Sequence, residues 1–168
     1  HAAFKGSTAD QVFILENHAD VESLSTRESV ASIELPKLNA VLNFDSTKKG
    51  SIDQIQLANG KMPVEADEIA GPPALFERLD VVPEIGQKFQ IPLRIQGGKV
   101  ENYDFTITGI LEQTDISKLN VNETRLVYGA FVSEKFVEQH IAPEDRTYTA
   151  YIRIVNENKH SKDEIETI

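Results

Sequence analysis

The chain has 168 residues, 40% hydrophobic and 26% charged, enough for one domain or two interlocked subdomains without disulfides or a structural metal. Its 17 Lys and Arg stand against 27 Asp and Glu, and the resulting charge of −10 disfavours nucleic acid and anionic lipid headgroups and attracts cations. Having no cysteine, it excludes disulfide scaffolds, thiol nucleophiles and thiolate metal sites.

No run approaches the roughly 18 apolar residues of a membrane helix, and no signal peptide is visible, so a soluble domain is expected. Ala2-Ala3-Phe4-Lys5-Gly6 opens as a short strand. Ser7-Thr8-Ala9-Asp10 reads as a helix start, with Ser7 as cap and Asp10 near the positive end of the helix dipole. Val12, Leu15 and Ala19 fall on one face of that helix. A strand within Val30 to Leu35 ends at Pro36. Leu38, Ala40, Leu42 and Phe44 then mark one face of a further strand. Lys48-Lys49-Gly50 suggests a turn, a strand follows around Ile52 to Leu57, and Asn59-Gly60 suggests another turn. Asp67 and Glu68 open a short helical segment through Leu79. It is interrupted by Gly71-Pro72-Pro73, where a proline suits a first turn because its missing N–H costs little there.

Phe89, Ile91, Leu93 and Ile95 share one face of the next strand, and Pro92 on the other face argues for an edge position. Its partner carries Tyr103, Phe105, Ile107 and Leu111 on one face. A two-residue turn at Gly97-Gly98 would set Ile91 opposite Asp104 and mix charge into the apolar face. A three-residue loop through Lys99 sets Phe89 opposite Ile107, Ile91 opposite Phe105 and Leu93 opposite Tyr103. The second register is therefore expected, with a glycine at positive φ. Arg125 to Val132 is a strand, and Ser133 caps a helix whose face carries Phe136, Val137, His140 and Ile141. Thr147 to Val155 is a strand with Tyr148, Ala150, Ile152 and Ile154 on one side, and Ser161 with Glu164 opens a last helix. Each end thus offers a strand–helix–strand unit with an apolar helix face to cover a shared sheet.

Nucleophile-elbow, phosphate-loop, dinucleotide and metalloprotease patterns are absent. Ser7 lies beside Gly6 without the G-x-S-x-G spacing and reads as a cap. His1, His18, His140 and His160 lack ligand spacing; His18 and His140 suit helix-end or partly buried packing better than zinc. Glu65, Asp67 and Glu68 cluster before a helical segment, where dipole and solvent account for them without a catalytic pair. Asn122-Glu123-Thr124 is a formal glycosylation triplet of a kind frequent by chance.

Several stretches in order resemble one family. They are Gly60-Lys61-Met62-Pro63, Asp67-Glu68-Ile69, Ala74 to Leu79, Pro83 to Phe89, and Phe105-Thr106-Ile107-Thr108-Gly109-Ile110-Leu111. They are similar to the extracytoplasmic (periplasmic core) domain of MacB-like/FtsX-like ABC-transporter permeases, and Gly71-Pro72-Pro73 departs from the family pattern. The resemblance implies an α+β fold in two parts. A porter-like α/β subdomain comes from both chain ends, 1–36 plus 124–168, as two strand–helix–strand units on one sheet. A mostly β subdomain, 37–123, is inserted between them. It implies a non-enzymatic domain on the outer face of the cell membrane, tethered through flanking helices. ATP would be hydrolysed by a separate ABC ATPase subunit, and the domain would couple that motion to substrate export or partner engagement. It implies no cofactor, no metal and no catalytic residue. Two alternatives stand beside it: a free-standing extracytoplasmic binding protein for a cationic ligand or peptide, and a hydrolase built on Glu65, Asp67 or Glu68. A membrane-tethered domain should send Ala2–Phe4 and the segment after Ser161 out of the fold on one side.

Overall fold

The computed structural model describes residues 2–50, 55–112 and 127–155. The expected helix from Ser161 and the Asn122-Glu123-Thr124 triplet lie outside these, as does the first half of the expected strand at Ile52 to Leu57. The first half of the chain holds β1 (Ala2–Ser7), α1 (Ala9–Glu16), β2 (Val21–Ile33), β3 (Asn39–Lys49), β4 (Leu57–Gly60), β5 (Glu68–Gly71) and α2 (Pro73–Arg78). The second holds β6 (Lys88–Ile95), β7 (Val100–Leu111), β8 (Val127–Val132), α3 (Glu134–His140), a 3-10 turn (Pro143–Asp145) and β9 (Tyr148–Ile154). Strands dominate and helices are few and short, an α+β arrangement. By packing, the chain forms two compact units: His1–Glu28, Asp45–Gln54 and Pro143–Ile168 in one, Ser29–Phe44 and Ile55–Ala142 in the other.

In the first unit β9 lies between β1 and β2, antiparallel to both. Ala150 faces Phe4 on one side and Thr26 on the other, and Ile152 faces Ala2 and Leu24. The alternation expected of Thr147 to Val155 holds: Ala150, Ile152 and Ile154 are buried with Val21 and Leu24, and α1 covers them with Val12 and Leu15. Fully burying each Val, Leu or Ile side chain among these contributes about 1.5–3 kcal/mol. Because β1 and β9 are antiparallel, Ala2 at the start of one lies beside Ile152 near the end of the other. The described chain thus enters and leaves this unit at the same end of the sheet.

The cap of α1 differs from the expected one. Pairing of Ser7 with Tyr148 keeps Ser7 in β1, where its hydroxyl donates to the Phe4 carbonyl. The cap moves to Thr8, whose hydroxyl accepts from the Gln11 N–H at 3.3 Å while the Gln11 side chain accepts from the Thr8 N–H at 2.8 Å. The helix stops at Glu16, so Ala19 falls beyond it and is exposed. A charge is buried nearby: the Glu28 carboxylate, 3% exposed, accepts from both Nε (2.9 Å) and Nη2 of Arg146. The Arg146 guanidinium also sits 5.6 Å over the Tyr148 ring.

The second unit orders its strands β3-β8-β5-β7-β4, with β6 pairing β7 and the last residues of β2. Its core gathers Leu42, Ile69, Leu75, Phe76, Leu93, Phe105, Ile107 and Val137. The segment from Asp67 to Leu79, expected as one interrupted helix, is divided. Glu68–Gly71 is β5, held between β7 (parallel) and β8 (antiparallel), and α2 begins at Pro73. Flanked on both sides, this stretch satisfies its buried backbone only as a strand, and Gly71-Pro72-Pro73 marks the switch with Pro73 at the first helical position. The turn expected at Lys48-Lys49-Gly50 is carried as strand through Lys49. Gly60 ends β4 rather than centring a hairpin turn. Its φ is +77°, and a Cβ there would lie 2.1 Å from the Thr108 carbonyl oxygen, so only glycine fits.

The β6–β7 hairpin keeps the expected apolar face but slips two residues in register. Phe89 pairs with Phe105, Ile91 with Tyr103 and Leu93 with Glu101. The Gly98 N–H donates to the Ile95 carbonyl across a two-residue turn of Gln96 (φ 39°) and Gly97 (φ 78°). That pair of positive φ values matches the twist of the strands. The ladder then resumes at Arg94 opposite Val100. A shift of two residues restores every side chain to its own face, so burial pattern alone does not distinguish the two registers. Pro92 is not at an edge as expected: it pairs with Asn102 of β7, and its carbonyl accepts from the Glu34 N–H at 3.0 Å just beyond the end of β2, a bond that needs no N–H from the proline.

Ser133 caps α3 as expected, accepting from the Phe136 N–H at 3.2 Å. Phe136, Val137 and Ile141 are buried, while His140 lies at the exposed margin. Packing groups β8 and α3 with the middle of the chain rather than with its ends, because β8 pairs with β3 and β5 and Phe136 joins the core of Ile69 and Phe105. The expected division at 36/37 and 123/124 therefore differs from the line that packing draws. The shared sheet of the two ends is made by β1, β9 and β2.

Candidate functional site

The acids singled out in the sequence close a turn. Glu68 Oε1 accepts from the backbone N–H groups of Val64 and Glu65, each at 2.8 Å. The Glu65 hydrogen bond chiefly holds the Glu68 carboxyl below its ordinary range. Glu65 pairs with Lys135 at 3.0 Å and offers its carbonyl to the Ser133 hydroxyl at 2.8 Å. The Asp67 carbonyl accepts from the Thr106 N–H, which steers the chain into β5. The Glu65 and Glu68 carboxylates and the Asp67 main chain thus brace the entry to β5 and the start of α3.

His18 follows α1 and its Nδ1 accepts from the Asp20 N–H, while its carbonyl accepts from Lys49 Nζ at 3.1 Å. His140 packs tilted against Phe136 and edge-on to Tyr103, with ring centroids 4.5 and 5.3 Å away. Burial lowers its pKa, opposed by the nearby Glu101 carboxylate. His1 and His160 lie outside the described residues. Among the described residues no three His, Cys, Asp or Glu side chains gather as a metal site, and no helix is long and apolar enough to cross a membrane.

What the structure does present is exposed apolar surface. In the first unit, α1 turns Phe13 and Ile14 outward, 65% and 50% exposed, while Val12 and Leu15 face the sheet. The sequence signal for this pair is the unbroken run Val12-Phe13-Ile14-Leu15. An eight-residue helix lying on one sheet covers only one side, so half of that run must face away. In the second unit, Val64, Val82 and Ile85 are exposed in the loops before β5 and β6, with Ile85 packed over Gly60.

No protein-family model matches the chain, and no curated protein matches its sequence. Solved structures do match. The extracellular domain of the noncanonic ABC-type transporter YknZ from Gram-positive bacteria superposes with a TM-score of 0.57 at 10% identity, over 94% of this chain and 78% of that one. The periplasmic region of MacB from Actinobacillus actinomycetemcomitans gives 0.52 at 9% identity, over 96% and 71%. At such identities the likeness speaks for the fold alone, and this chain shares its α+β fold with the YknZ extracellular domain and the MacB periplasmic region.

Proposed function

We propose that this chain is the extracytoplasmic domain of an ABC-transporter permease, a non-enzymatic module that couples ATP-driven motion of membrane helices to substrate export or partner engagement. The observation that carries the reading is the antiparallel β1–β9 pair. It brings Ala2 beside Ile152, so a single end of the first unit can connect to two neighbouring membrane helices. The likeness to extracellular and periplasmic domains of two ABC-type transporters supports the same reading. An ABC ATPase subunit is then the cytoplasmic partner.

The test uses the full-length protein in intact cells. Since this chain has no cysteine, a Glu84→Cys substitution on an exposed loop gives a single handle in the domain. An impermeant maleimide should label it without permeabilisation, and an ABC ATPase should co-purify after detergent extraction. Labelling only after lysis, or release from membranes by a carbonate wash, refutes the reading. The charge of −10 favours one second reading, a free-standing extracytoplasmic binding protein for a cationic ligand or peptide. Carbonate release together with outside labelling would select it.

A further inference from the structure

We propose that the outward face of α1 is a docking surface for a basic, apolar segment of a partner protein. Phe13 and Ile14 form its centre. On a helical wheel of about 100° per residue, Asp10 and Asn17 project between them. Glu16 lies on the next turn from Phe13, and Asp20 and Glu22 follow beyond the helix. From Thr8 to Glu22 the sequence has four carboxylates and no Lys or Arg, and Asp10, Asp20 and Glu22 are exposed. Beyond this end of the helix the Lys49 ammonium donates to the His18 carbonyl at 3.1 Å.

An apolar centre with an acidic rim selects its occupant by charge. An anionic lipid surface is repelled by these carboxylates. A second copy would set the same acids against each other. It would also bury on the order of 200 Å² per protomer in this pair, far below the roughly 800 Å² of a stable interface. A partner segment that places an aliphatic or aromatic side chain on Phe13 and Ile14, and Lys or Arg against Asp10 and Glu16, satisfies both features. Its small footprint makes the contact a weak, reversible one. The inference deepens the partner-engaging part of the function proposed above and rests on it.

The experiment titrates the 168-residue chain with a fluorescent amphipathic Leu/Lys helical peptide, against a Leu/Glu peptide and phosphatidylcholine/phosphatidylglycerol vesicles. Expected are saturable binding of the Leu/Lys peptide alone and at least tenfold weakening in Phe13→Ser/Ile14→Ser. Glu16→Lys should weaken it with a reduced salt dependence, while Glu134→Gln/Glu138→Gln on α3 should leave it unchanged. Circular dichroism of each variant establishes that it is folded. Equal binding by wild type and Phe13→Ser/Ile14→Ser overturns the proposal. So does vesicle binding or self-association that this double variant abolishes. The outside-labelling result is scored separately: labelling with no peptide effect sinks this inference alone, and a peptide effect without labelling sinks the permease reading alone.

Discussion

Replacing Arg146 with alanine tests the buried ion pair that joins β2 to the residue following the 3-10 turn. Glu28 is 3% exposed and Arg146 15%, with two hydrogen bonds between them. The variant leaves a buried carboxylate without its guanidinium, a loss of about 3–5 kcal/mol in comparable sites. The partial exposure of Arg146 lets water reach the vacated place, which puts the expected loss near 3 kcal/mol. At about 2–4 °C per kcal/mol for a chain of this size, the melting temperature should fall by roughly 6–12 °C. The loss should be read by far-ultraviolet circular dichroism in urea and by faster amide exchange in β9. Glu28→Leu/Arg146→Leu removes both charges together and should come back to within about 1–2 kcal/mol of wild type. A single variant costing under 1 kcal/mol, or a double variant worse than the single, refutes the idea that an uncompensated charge is what destabilises.

Gly60→Ala should lose at least about 2 kcal/mol, since a left-handed φ costs about 1–2 kcal/mol and its Cβ would press on the Thr108 carbonyl. Gly6→Ala, also at positive φ but in open space, should lose only the φ term, and equal losses at the two positions would contradict the contact argument. Ser133→Ala should cost about 1–2 kcal/mol in urea midpoint analysis, because it removes both the α3 cap and the hydrogen bond to the Glu65 carbonyl. Burial depresses the folded pKa of His140, so the neutral ring favours the fold. That stability is present above the ordinary histidine value of 6.5 and is lost as pH falls below it. His140→Gln should flatten the drop in urea midpoint between pH 7.5 and 5.5, and an unchanged slope would discount the packed imidazole.

The one-dimensional signals survived wherever local chemistry and burial agreed. The alternation of Tyr148, Ala150, Ile152 and Ile154, the Ser133 cap and the proline at the head of α2 were all legible in the sequence. Local chemistry erred where a distant partner decided. Ser7 looked like the cap of α1 until pairing with Tyr148 kept it in β1 and Thr8 took that place. Asp67 to Leu79 looked helical until β7 and β8 claimed Glu68–Gly71. On α1 the buried face, Val12 and Leu15, was legible from spacing, and the packing of the helix on the sheet leaves the rest of the apolar run, Phe13 and Ile14, exposed.

By itself, the order of residues determined the class of fold, the apolar face of nearly every strand, and the acidic, cysteine-free character that narrows the partners. Those properties follow from periodicity, capping and charge, which act over a few residues. Tertiary structure alone decided the two-residue register of the β6–β7 hairpin, the pairing of β1 with β9 and the assignment of β8 and α3 to the middle of the chain. Each of these depends on backbone hydrogen bonds between residues far apart in sequence, and a pattern of period two or 3.6 carries no record of which strand will supply them.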